Sequence, residues 1–200
     1  PIRSSAASDV YKRQDVMESA RIAEEKGKDI IHMEVGQPGT PAPKIAKDYI
    51  TNEINKNNLG YTVSLGLPAL RTKISKLYGN WYNLDLNPNR IVVTTGSSGA
   101  FILSFSALFD SGDRVGIGSP SYPSYRQILK SLSLETVDIQ TKLQNRFQPV
   151  PEDITDNNLN GILVASPANP TGSMLDKQSL ENLINTANEN NVSFISDEIY

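Results

Sequence analysis

Four short stretches carry residue types whose chemistry suits a small, charged, aromatic ligand: TTGSSGA at 94–100, SPSYP at 119–123, SPANPTG at 166–172 and SDEIY at 196–200. In the first, Gly96, Ser97, Ser98 and Gly99 lead into an apolar run. Glycine lets the backbone approach a ligand, and free amides at a helix start point outward with two hydroxyls beside them, which suits a phosphate. The plain alternative is a serine-capped helix start. A dinucleotide site would want an acid at the end of the next strand. That strand ends Gly118-Ser119-Pro120, with Asp113 at its other end, so a mononucleotide-like phosphate is favoured over NAD. Tyr122 could offer a flat face to an aromatic ring or simply pack. Asn169 precedes Pro170, which restricts it to extended backbone; its amide could reach a ligand oxygen, or the stretch could be an ordinary turn. Asp197 closes an apolar run, and a carboxylate there needs a partner. A protonated ring nitrogen would serve, and Tyr200 could donate to a phenolic oxygen on the same ring. Otherwise Asp197 and Glu198 are a charge pair at a helix start.

These residues need a scaffold. RIVVTTG, RVGIGS, LETVDI, GILVAS and VSFISD read as strands. GAFILSFSALFDSG, YPSYRQILKSL and LDKQSLENLINTANENN read as helices between them. QTKLQNRFQPVPEDITDNN reads as mostly polar connection. Alternating strands and helices predict an α/β fold with a mainly parallel sheet covered on both faces. The four clusters then follow strand ends, and the carboxyl ends of an open α/β sheet share one edge where ligands bind. Upstream, QDVMESARIAEEKGKD, PKIAKDYITNEIN and LPALRTKISKLYGNWY have helical spacing, IIHMEV reads as a short strand, and GQPGTPAP and NKNNLGYTVSLG read as loops. His32, the only histidine, falls in the IIHMEV strand and reads as structural. A phosphate cradle, a stacking ring, an amide, a carboxylate and a phenol together match the outline of pyridoxal 5'-phosphate.

Composition narrows the classes. A hydrophobic share of 38% is ample for a core, so disorder is not expected. A net charge of −3, from 19 basic and 22 acidic residues, gives no general attraction for nucleic acid or an anionic membrane. Cysteine is absent, which excludes disulfides, thiolate metal sites and cysteine nucleophiles; no metal site is expected, and a cytoplasmic location is. Residues 1–14 have neither a signal-peptide core nor an amphipathic period. They read as a doubtful non-native leader or a flexible terminus.

The stretches VGQPGTPAP, GYTVSLGLPALRTKISKLY, TTGSSGAF, GDRVGIGSPSYPSY, SPANPTG and SDEIY together resemble the class I/II aminotransferases, fold-type-I enzymes of pyridoxal phosphate. The resemblance covers nearly everything from Asp15 onward. It implies that Gly96, Ser97 and Ser98 hold the cofactor phosphate, that Tyr122 stacks on the pyridine ring, and that Asn169 and Tyr200 reach its phenolic oxygen. Asp197 would partner the ring nitrogen. Gly36, with Asn169, would meet the substrate carboxylate, and Tyr61 would reach the phosphate in the neighbouring subunit of a homodimer. Cis peptides are implied at Ser119-Pro120 and Asn169-Pro170. The implied domains are 15–42, belonging to a small domain, and 43–200, a large cofactor-binding domain incomplete at its C-terminus.

The implied activity is transfer of an amino group between an amino acid and a 2-oxo acid, with Asp197 and Tyr200 at the reacting centre. The lysine that carries the cofactor in relatives comes a few dozen residues after the SDEIY stretch, so this chain is expected to be an N-terminal part of such an enzyme, inactive alone. Exposed apolar surface and unmade sheet neighbours are expected along that side. C–S lyases, aminocyclopropane-carboxylate synthases and acyl-transferring synthases share these motifs and stay open, as does a non-catalytic phosphate-ligand module. The substrate pair is not specified.

Overall fold

The structure is a computed structural model of the chain. It describes residues 5–34, 36, 39–56 and 60–200, with side chains from residue 15 onward. Two compact units divide the chain, 1–63 and 64–200.

In the first unit, α1 spans Ser5–Glu25 and α2 spans Lys44–Ile54. Helix α1 begins ten residues ahead of Asp15, inside the stretch expected to be a leader. That stretch holds no glycine or proline from Ser5 to Gln14, and adding residues to an existing helix costs far less than starting one. Gly27, at φ +79, ends the helical turn. The expected strand IIHMEV is not formed over its described residues 30–34; Val35 lies outside them. Ile31 and Met33 stand almost fully exposed, and a strand persists only where a neighbour completes its hydrogen bonds.

The second unit holds α3 (Pro68–Tyr82), α4 (Gly96–Leu108), β1 (Arg114–Ser119), α5 (Pro123–Ser131), β2 (Glu135–Gln140), α6 (Pro151–Asp156), β3 (Gly161–Ala165), α7 (Lys177–Glu189) and β4 (Ser193–Asp197). Helix α6 lies within the stretch expected to be polar connection. Pro151 takes its first position, where a missing N–H costs nothing, and Asp153 accepts from the Val150 N–H at 2.8 Å.

All strand pairings are parallel, in the order β2-β1-β3-β4. Alternate residues of β3 point to opposite faces. Leu163 packs with Phe101, Phe105, Ile117, Tyr125 and Leu129, whereas Ile162 and Val164 pack with Ile154, Leu183 and Ala187. Thus α4 and α5 cover one face and α6 and α7 the other. The near-continuous burial of Gly161–Val164 is what a strand covered on both sides requires. From β1 the chain winds outward to β2, then crosses back and continues to β3 and β4. The reversal places a crevice outside the carboxyl ends of β1 and β3.

The expected strand at Ile91–Val93 has no ladder. Ile91 is extended (φ −102, ψ 126), and Val93 N–H donates to Leu65 O at 3.0 Å, but Leu65 lies in no strand. Val92 and Val93 are exposed. Hydrophobic pattern marks a run that could be a strand; only a flanking strand makes it one. No helix among the described residues is long and apolar enough to cross a membrane.

Candidate active site

Three of the four clusters end the parallel strands β1, β3 and β4, and so lie on one rim. Ser119-Pro120 leaves β1 in cis, and Asn169-Pro170 leaves β3 in cis, as the resemblance implied; Ser166-Pro167 is cis as well. Pro123 starts α5 at once after Tyr122, so Tyr122 stands at the mouth of the crevice, half-buried.

The loop after β3 is tightly held. Gly172 N–H donates to Ala168 O at 2.7 Å, and Ala168 N–H to Ser173 O at 2.9 Å. The first bond needs Gly172 at φ +65, a conformation side chains disfavour. Gln148, 3% exposed, donates its Nε2 to Ala165 O and Ser173 O, each at 3.1 Å. Leu175 N–H donates to Ser166 Oγ at 3.0 Å. These bonds leave Asn169 little freedom, which is how a half-buried amide can be aimed.

Asp197 is the last residue of β4 and only 8% exposed. The Tyr125 hydroxyl donates to its Oδ2, and the Ile199 N–H donates to its Oδ1 at 3.2 Å. Tyr125 is buried, edge-on to Phe101 at 5.2 Å between ring centres and edge-on to Tyr122 at 5.5 Å. Burial first, then the hydrogen bond to Asp197, pushes its ionisation well above the ordinary tyrosine range. Asp197, Tyr125 and Tyr122 therefore form one group. Tyr200 and Glu198 are exposed; Glu198 accepts from Ser196 Oγ at 2.8 Å. Sequence reasoning missed Tyr125. The available signal was a second tyrosine three residues after Tyr122, one helical turn away at a helix start.

Phe101 also ties α4 to this group, because it lies one turn beyond Ser97 and Ser98. Helix α4 has no side-chain cap, in contrast to α7, where Asp176 accepts from Ser179 N–H at 2.8 Å. Thr94 Oγ1 is turned to Gly96 O at 2.8 Å. Gly96 takes φ +75, and nothing lies within 4 Å of where a side chain would begin. The first turn of α4 thus offers uncapped amides beside two serine hydroxyls.

Gly36 and Tyr61 belong to the first unit and are both exposed. A cavity of about 20 Å³ lies between β1 and β3, lined by Pro120, Tyr125, Gln148, Ala165 and Asn169; that is room for about one water. The roomier cavity, about 240 Å³, is lined by Arg146, Gln148, Val150, Met174, Asp176 and Asn182. It contains none of the expected site residues. The rim carries the site's charged and aromatic chemistry, so chemistry outweighs volume here.

The pattern described as aminotransferase class I and II matches residues 28–200. The valine–pyruvate aminotransferase of Mycobacterium tuberculosis is 41% identical over 174 residues, which are 86% of this chain and 45% of that protein. A solved structure from Silicibacter pomeroyi is 56% identical with a TM-score of 0.84, covering 94% of this chain and 48% of that one. A solved aminotransferase from Mycobacterium tuberculosis is 39% identical with a TM-score of 0.89, covering 94% and 49%. The chain spans about half the length of these relatives. On sequence and fold together, the chain belongs to the class I and II aminotransferase family.

Proposed function

We propose that the protein takes part in transferring an amino group between an amino acid and a 2-oxo acid, and that this chain carries most of the residues holding pyridoxal 5'-phosphate. The observation that carries the proposal is Asp197: a carboxylate 8% exposed at a strand end, on the rim shared with Tyr122, Asn169 and Tyr200. A carboxylate so buried stays charged only among donors or cations. Two donors are already in place, and its further lone pairs suit a protonated ring nitrogen.

The remaining residues fit the same group. Gly96, Ser97 and Ser98 would hold the phosphate through the uncapped first turn of α4. Tyr122 would lie against the ring, and Asn169 and Tyr200 would donate to its phenolic oxygen. Gly36 and Asn169 would receive the substrate carboxylate. When bound, the ring supplies a sink for the electron pair left as the amino acid loses its α-proton. Asp197 keeps the proton on the ring nitrogen, which makes that sink effective. The proposal includes a homodimer in which Tyr61 serves the partner subunit's phosphate site. It also includes the assignment of 15–42 to a small domain and a cytoplasmic location. The relative acting on valine and pyruvate makes that pair the first to assay.

The test is ligand binding by this chain. Pyridoxamine 5'-phosphate should bind, and both D197A and the pair S97A/S98A should weaken it at least tenfold while the far-ultraviolet circular dichroism stays unchanged. Equal affinity in all three proteins would remove the proposal. In a chain spanning the relatives' full length, D197A should lower kcat by about a hundredfold or more.

A further inference from the structure

Asp197 has a companion that the site residues above do not use. Tyr125 is 2% exposed, and its ring is fixed by edge-on contacts with Phe101 and Tyr122. A hydroxyl this deep needs a hydrogen-bond partner, and the partner is Asp197 Oδ2. The Ile199 N–H takes Oδ1. The carboxylate is thus tethered at both oxygens, one donor coming from α5 and the other from its own chain just beyond β4. Burial and the neighbouring carboxylate keep the phenol protonated, so it remains a donor across the working pH range. A carboxylate has about four lone-pair directions; two are occupied, and the others remain for a ligand.

We propose that Tyr125 is a positioning residue: its phenol fixes the orientation of Asp197 and draws off part of its charge, so that Asp197 holds a proton on a ligand's ring nitrogen less tightly than it would alone. This rests on the function proposed above. Hydrogen bonding to the charged form of a carboxylate lowers its proton affinity, and the same withdrawal weakens its pull on a neighbouring N–H. Packing alone would not have this consequence, because phenylalanine fills the same space and lacks only the hydroxyl.

The experiment uses pyridoxamine 5'-phosphate labelled with 15N in the ring, bound to the chain, with the ring nitrogen titrated by NMR. Y125F should raise the pH at which the bound ring loses its proton by about one unit, a tenfold change in proton affinity. D197N should lower that pH. An unchanged or lowered midpoint in Y125F, with D197N still effective, overturns the role of Tyr125 alone. No effect of D197N sinks the cofactor reading and this proposal with it. A second measurement needs no ligand: in the 13Cζ-tyrosine spectrum, the resonance missing from Y125F should be the one that D197N moves most. If D197N leaves it in place, the tether is absent and the proposal falls.

Discussion

At the scale of single residues, partners rather than identity decide what a charged group does. Asp197 and Glu198 are adjacent acids, yet one is buried under Tyr125 and the other meets solvent. His32 shows the same rule outside the rim. Its Nδ1 lies 2.7 Å from Glu34 Oε1 and its Nε2 2.8 Å from Glu24 Oε1. The Glu34 hydrogen bond, then that from Glu24, raises its pKa from 6.5 to about 9. The folded pKa is the higher one, so the stabilisation is complete below about pH 6.5 and is lost as pH rises toward 9. With a single histidine in the chain, one imidazole resonance reports it directly. Its midpoint should lie near 9, and E34Q should bring it down further than E24Q does. All three side chains contact water, so added salt should also lower the midpoint. A midpoint at the ordinary value in the unmodified chain would dissolve the clasp.

At the scale of elements, the sheet depends on close approach. Gly116 sits buried in β1, where a Cβ would fall 2.7 Å from Leu159 Cδ1 and 2.9 Å from Ile139 Cδ1. Both neighbours are core residues of the α6–α7 face. G116A should therefore destabilise the chain by about 1–3 kcal/mol through overpacking, measured by urea unfolding. The change should appear as a lower midpoint with an unchanged slope; unaltered stability would mean that this layer is loosely packed. Element types were legible where period and length agreed, as in α3, α7 and β1–β4. IIHMEV and RIVVTTG read as strands from composition alone, yet over its described residues neither run has a paired strand that would complete its backbone hydrogen bonds. The cap of α7 was available locally in Asp176, whereas the missing cap of α4 was not. Serines at Ser97 and Ser98 look like caps in sequence but lie inside the helix.

At the scale of the whole molecule, the chain exposes more large apolar side chains than a self-contained core would leave. Within the second unit, Trp81 and Tyr82 on α3, Ile102 and Leu103 on α4, and Val92 all lie open. Exposed apolar side chains in this number favour association. The chain should run larger than its 21.9 kDa in size-exclusion chromatography at micromolar concentration and bind a hydrophobic dye. The combination W81S, I102S and L103S should shift it toward the monomer and reduce dye binding. A monodisperse monomer without dye uptake would show that these side chains find cover in solution.

The sequence by itself determined the α/β alternation, the chemistry of the four clusters and the family resemblance, because all three are written in local pattern and in the order of short motifs. The tertiary structure alone decided which clusters meet. The order β2-β1-β3-β4 puts the crevice between β1 and β3, and only that arrangement brings Tyr125 and Asp197, 72 residues apart, into one hydrogen bond. A tyrosine one turn into a helix looks like core in any linear reading; its role depends on a carboxylate delivered by another strand, and parallel strand order is a property of long-range pairing that local spacing does not encode.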